Sequence, residues 1–305
     1  MARPRRFCCE LSQANGEALA ATASRIDHWL LLEYRGLWAR DALGASLLPD
    51  RVKEHLRELV GRPSRARLLF VRRPERRSRS GFAVFYGRTS ERDSWVRSFE
   101  VDAYEDLLAL DVAEAFERPS ALGEPVDHPL FVVCTHGKRD PCCARYGRPL
   151  YEGLREAADD GWIWQSTHVG GDRFAGNLVC LPDGVYYGRV TRLDALAVLA
   201  EHLAGRVELA HYRGRCCYSF PVQAAEREVR ERSGVLGIAD VRAEGIERLG
   251  EDRWRVRLVA GTTRYEVEVV AEQGELTLLT CTSPTPKSPR RFVARSVRTL
   301  PEPAA

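Results

Sequence analysis

Apolar and polar positions along this chain fall into three blocks: residues 1–122, 127–206 and 211–305. In the middle block, residues 129–134 are an apolar run that reads as a buried strand. A polar loop containing Gly137 and Pro141 follows. From 143 to 158, Tyr146, Leu150, Leu154 and Ala157 recur at helical spacing and predict an amphipathic helix. Residues 162–167 predict a second strand. The segments 177–181 and 185–190 flank Pro182-Asp183-Gly184, a hairpin signal. Asp194 is placed to cap a last helix running to Leu203, with Gly205 as its stop.

Strand, loop, helix, strand, loop, hairpin and helix follow in the thioredoxin-like order. The first block repeats it: a strand at 28–34, a helix at 49–60, strands at 67–72, 82–87 and 94–101, and a helix starting at Tyr104. Asp27-His28-Trp29-Leu30 lies 100 residues before Asp127-His128-Pro129-Leu130, and Leu56-Arg57-Glu58 lies 98 before Leu154-Arg155-Glu156. Either a duplication or chance explains matches this short. A duplication would put Tyr34 where the second copy has Cys134, and the first copy would carry no ligands. The third block predicts a helix at 222–232 and strands near 238–242, 253–259, 265–271 and 276–281. Its tail, from 284 onward, is rich in proline and arginine and reads as partly extended or mobile. The expected fold class is therefore α/β, or α+β. One thioredoxin-like module, with or without a duplicate, is joined to a small C-terminal α+β module.

Composition narrows the class. At 44% hydrophobic and 29% charged, the 305 residues suit an ordinary globular protein. No run of 18 apolar residues provides a membrane-spanning helix, and the start MARPRRFCCELSQANGE lacks the apolar core of a secretory signal. The expectation is a soluble, cytoplasmic chain with no membrane partner. A net charge of +3 excludes a general electrostatic grip on nucleic acid. Eight arginines between 62 and 79 read as a solvated or partner-docking face. Nine cysteines, an odd count without an export signal, read as thiols, metal ligands or apolar fillers rather than disulfides.

Two loops of the middle block carry the candidate chemistry. Cys134 and Cys143 are a C-x8-C pair; His168 and Asp172 are an H-x3-D pair. A thioredoxin-like layout sets these loops side by side, and thiolates with imidazole suit zinc or iron–sulfur chemistry. Gly170 and Gly171 leave space and free N–H donors for a bulky inorganic group. Arg173, with Lys138 and Arg139, can offset its negative charge or dock an acidic partner. Several positions keep a second reading. Cys142 is a spare, or the ligand if the register is one off. His136 is a zinc ligand, a hydrogen-bonding group or a solvent-facing one. Asp172 caps a turn or pairs with Arg173 instead. Cys180 reads as core, and Cys8-Cys9, Cys216-Cys217 and Cys281 have no matching partners and read as structural. No C-x-x-C and no phosphate loop occurs, and Cys134, placed between a strand and a helix, opens no C-x5-R phosphatase motif, since after five intervening residues comes Asp140, with Arg139 one place short.

On VVCTHGKRDPCC, THVGGDRFAGNLVCLPDGVYYGRV and, more weakly, RIDHWLLLEYRGLWARDAL, the chain resembles the sucrase/ferredoxin-like proteins, relatives of thioredoxin-like [2Fe–2S] ferredoxins. The resemblance reaches to about Gln223. It implies an electron-transfer protein with a redox partner protein and one [2Fe–2S] cluster, held by Cys134, Cys143, His168 and, in the fourth place, Asp172. Where the family's second pair is best understood it is His-x3-His, so the aspartate is a departure. No carboxylate pair assignable to glycoside cleavage is visible, so "sucrase" implies no such activity. Two rivals stand beside this reading. One is a structural zinc site of Cys134, Cys143 or Cys142, and His168, with His136 or Asp172 completing it. The other is a metal-free thioredoxin-like interaction module.

Overall fold

The computed structural model describes residues 7–74, 79–118, 122–159, 161–283 and 285–301. A short helix α1 (Cys8–Ala14) precedes β1 (His28–Glu33), α2 (Asp50–Gly61), β2 (Ala66–Arg72), β3 (Phe82–Arg88) and β4 (Trp95–Val101). β1 runs parallel to β2 and antiparallel to β3, which pairs antiparallel with β4. The chain then passes through a 3-10 turn at Tyr104–Ala109, α3 (Val112–Glu117) and the two-residue β5 (Glu124–Pro125). Next come β6 (Leu130–Cys134), α4 (Pro141–Arg155), β7 (Ile163–Ser166), β8 (Leu178–Leu181), β9 (Val185–Tyr187) and α5 (Ala195–Leu203). Their pairing is the same: β6 is parallel to β7 and antiparallel to β8, which pairs antiparallel with β9. Both halves thus have the thioredoxin-like strand order. They join edge to edge through antiparallel β2 and β7 in one ten-stranded sheet.

Side-chain alternation explains which face each strand buries. β6 is apolar at Leu130, Phe131, Val132 and Val133 because it is covered on both faces, and all four are fully buried. Phe131 and Val133 pack under α4 and α5; Leu130, Val132 and Cys134 face the opposite side. In β1, Leu30 and Leu32 lie on the α2 side, while Trp29 and Leu31 join the core that holds Cys134. That core is shared between the halves because the sheet curls: the rings of Trp29 and Tyr186 are 6.4 Å apart, and those of Phe85 and Trp164 5.2 Å. Tyr34 belongs with the α2 side, so it is not the counterpart of Cys134. The last residue of β1 on the shared face is Glu33, a buried carboxylate that accepts from the Ala83 N–H. A register difference of one residue moves a side chain to the other face.

Beyond α5 the expectations need amending. β10 (Tyr212–Arg215) pairs with β9 and closes the large sheet, so the start of the third block belongs to that sheet. α6 (Phe220–Ser233) then packs on a second sheet of β11 (Val241–Gly250), β12 (Arg253–Ala260), β13 (Thr263–Gln273) and β14 (Arg290–Leu300) in sequential order. The predicted strand at 276–281 is not one. The fourth strand is formed by the tail, whose Phe292, Ala294 and Val297 pack against the core of this module. Residues 276–283 instead reach across to the large sheet. Asp194 also behaves differently: its carboxylate accepts from the Thr191 N–H and hydroxyl instead of capping α5. In the arginine-rich stretch, Arg72 lies over Trp38 and Arg73 over Trp164, while Arg67 donates to the Val169 carbonyl. Arg76 and Arg77 lie outside the described residues. Among those described, no helix is long and apolar enough to cross a membrane.

Candidate metal centre

Cys134 ends β6 on the shared face. The chain turns back through a tight loop in which Asp140 N–H donates to the His136 carbonyl, 3.1 Å. Helix α4 starts with Asp140 as its cap, accepting from the Cys142 N–H at 2.9 Å, and with Pro141 in the first turn, where a missing N–H costs nothing. This puts Cys143 in the first turn, fully buried. Gly147, one turn on, has no side chain because a Cβ there would overlap the Cys134 carbonyl oxygen. That close approach sets the helix onto the strand.

The second loop leaves β7 at Ser166. Gly170 and Gly171 both have positive φ, 101° and 80°. Arg213 from β10 braces this turn, donating to the Gly170 carbonyl and to Asn177 Oδ1 (2.7 Å), while Asn177 donates to the Gly171 carbonyl. The space the two glycines leave goes to Ser24 and to the Arg213 guanidinium, so it is not room for an inorganic group. Arg173 is likewise engaged, paired with Glu17 at 2.7 Å.

The result is convergence. One ligand atom each of Cys134, Cys143 and His168 lies within 4.8 Å of the other two. His168 Nδ1 is 3.9 Å from Cys143 Sγ, and Asp172 Oδ1 lies 3.0 Å from that nitrogen and 3.4 Å from the same sulfur. Asp172 therefore pairs with His168 rather than with Arg173. The Cys143 thiol, by hydrogen bonding, and the neighbouring His168 hold Cys134 well below the usual thiol range despite its burial. Cys143, donating to Cys134 and buried, is pushed well up. Burial opposes charge on His168, but Asp172 and Cys134 outweigh it and raise the ring to about 9. Asp172, likewise opposed by burial, is held low by His168. In the metal-free site these shifts favour keeping a proton on Cys143 and on His168.

Of the other candidates, His136 stays outside this group: its Nε2 donates to the Ala39 carbonyl at 2.7 Å, and burial lowers its basicity. Cys180 is core, as expected. Cys142 points away from Cys143, and three residues thought unpartnered gather on it: Cys8, Cys9 and Cys281. That cluster and the brace Arg213 were missed, because more than 130 residues separate Cys142 from Cys8, Cys9 and Cys281, and no short motif spans such distances.

Among curated proteins nothing matches the chain significantly. The matching solved structures are thioredoxin-like [2Fe–2S] ferredoxins from Aquifex aeolicus. A cysteine-to-serine variant is 20% identical, covering 29% of this chain and 100% of its own, with a TM-score of 0.27. Another structure of that ferredoxin is 22% identical over 28% of this chain and 91% of its own, with a TM-score of 0.26. The family model of sucrase/ferredoxin-like proteins matches residues 19–214, which takes in both thioredoxin-like halves and both candidate loops. The chain belongs to the sucrase/ferredoxin-like family.

Proposed function

We propose that this chain is an electron-transfer protein carrying one [2Fe–2S] cluster on Cys134, Cys143, His168 and Asp172. The observation that carries this reading is the convergence of two thiols and an imidazole within 4.8 Å, from loops that a thioredoxin-like sheet sets side by side. The donor set suits iron: two soft sulfurs, a nitrogen and a carboxylate. Once bound, the cluster supplies one-electron storage at a potential set by ligand charge and burial. The protein's part is to hold and insulate it. Cys134 and Cys143 are sealed from water, whereas the His168 side chain is 22% exposed and forms the edge that a redox partner protein reaches. The first half, built with the same connectivity, is read as a copy without ligands. It contributes Trp29, Leu31 and Phe85 to the apolar wall beside Cys134.

Anaerobic purification followed by visible spectroscopy with iron, sulfide and zinc analysis tests this. The expected protein is red-brown, with about two iron and two sulfide bound through the four named residues. Colourless protein with zinc dependent on Cys134 and His168 would establish the zinc-site reading instead. Colourless, metal-free protein that cannot be reconstituted would leave the interaction-module reading.

A further inference from the structure

We infer that the chain has a second metal site, a zinc-type thiolate site formed by Cys8, Cys9, Cys142 and Cys281. The sulfurs are already gathered. Cys8 and Cys142 are 3.6 Å apart, Cys142 and Cys281 3.3 Å, Cys281 and Cys8 3.4 Å, and Cys9 and Cys142 2.9 Å. Four sulfurs on one tetrahedral zinc, with bonds of ~2.3 Å, stand about 3.8 Å from one another. The triangle of Cys8, Cys142 and Cys281 is therefore within a few tenths of an ångström of one face of such a tetrahedron. All four lie well beyond the ~2.05 Å of a disulfide bond.

The surroundings fit a closed structural site. Cys8 and Cys142 are fully buried and Cys9 nearly so. Asp140, although close to the group, is already occupied: one carboxylate oxygen accepts from the Cys142 N–H, the other from the Cys281 N–H (2.6 Å) and the Thr280 hydroxyl (2.7 Å). An Asp140 oxygen lies within 4.8 Å of the Cys8, Cys142 and Cys281 sulfurs, but its bonds make it the group that positions the loops carrying two of the cysteines, and Cys9, 2.9 Å from Cys142, takes the fourth place. The three segments involved are α1, the start of α4 and the crossing stretch 276–283. Zinc there would staple the N-terminal helix and the C-terminal module to the helix that carries Cys143. On binding, each thiol still protonated releases its proton to solvent. This site shares no ligand with the proposed cluster, so the two readings stand or fall separately.

The test uses the full chain, with zinc ion alone as the probe. In wild-type protein, one equivalent of zinc should bind and protect Cys8, Cys9, Cys142 and Cys281 from alkylation, read residue by residue by mass spectrometry; a chelator should expose them. Cys8→Ser combined with Cys281→Ser should lose that equivalent while leaving any visible absorbance from iron unchanged. Unaltered zinc content in the double variant overturns the proposal. Equal alkylation of the four thiols with and without zinc does so as well, and needs no variant to fold. A mass 2 Da low, with Cys9 linked to Cys142 after reductive purification, would mean that a disulfide occupies the place of the metal.

Discussion

The proton held by His168 has a measurable consequence. Its ring is raised to about 9 from an ordinary value of 6.5, so in metal-free protein the charged pair with Asp172 is stabilising below pH 6.5 and is lost as pH climbs through 9. The shift corresponds to roughly 3 kcal/mol at most, and urea unfolding of chelated protein at pH 6 and pH 9.5 should show a loss of that order. A flat profile would show that the ring gains no proton affinity on folding. Metal needs the neutral imidazole and the Cys143 thiolate, so affinity for it should rise about tenfold per pH unit for each proton displaced, and less steeply above pH 9, where the Cys143 proton alone remains to be displaced; chelator competition reads this directly. At Asp172 the substitutions separate charge from ligation. Asp172→Ala should leave the cluster labile, with most visible absorbance lost on desalting. Asp172→His should keep it and raise its potential, since a neutral imidazole replaces a negative ligand. Full absorbance and an unchanged potential in Asp172→Ala would remove the aspartate from the ligand set.

Among the elements, the contact between α4 and β6 decides whether the site exists. Gly147 sits where any side chain would collide with the Cys134 carbonyl, and that oxygen belongs to the backbone, which cannot rotate away. Gly147→Ala should therefore push the helix off the strand and part Cys143 from Cys134. The expected cost is about 1–3 kcal/mol of stability, together with loss of bound metal; an urea midpoint and a metal assay check both. Wild-type values for the two would mean that α4 can shift without disturbing the thiols. The C-terminal module shows the opposite relation of pattern to structure. Residues 276–281 have a strand-like apolar content, yet the edge of β13 is taken by β14, which pairs along its length from Arg264 opposite Leu300 to Gln273 opposite Arg290. Held by a single antiparallel bridge between Thr277 and Lys287, the stretch 276–283 crosses to the large sheet, where Cys281 meets Cys142.

Across the whole molecule, the two sheets are tied by a buried ion pair. Arg230 and Glu226, both completely buried, lie 2.9 Å apart on α6. Glu226 accepts from the Tyr212 hydroxyl of β10, and Arg230 donates to the Val235, Gly237 and Ile238 carbonyls. Removing one partner strands the other charge in an apolar junction. Arg230→Met should cost about 3–5 kcal/mol, and adding Glu226→Leu should recover part of it; denaturation of the single and double variants gives the coupling. A single variant as stable as wild type would show that the junction takes up water and relaxes. The curled sheet is the other whole-molecule feature, because it makes one core out of both halves and buries Cys134 under side chains from the first.

What could be read directly from residues was local. The apolar run of β6, the helical spacing of α4 and the hairpin at Pro182-Asp183-Gly184 each reflect interactions within a few positions, and the C-x8-C and H-x3-D pairs marked the two loops on which the family resemblance implies a ligand set. Long-range packing decided the rest. Tyr34 and Glu33 differ by one place, and only the burial of alternate faces shows which of them shares a face with Cys134. Gly170 and Gly171 suggested an open pocket, but the Arg213 guanidinium arrives from β10 to fill it. Cys8, Cys9 and Cys281 had no partner at any motif spacing, because they meet Cys142 only after the N-terminal helix and the 276–283 crossing fold onto α4. Contacts between residues far apart in sequence depend on the shape of the whole buried interior, and no short pattern encodes that.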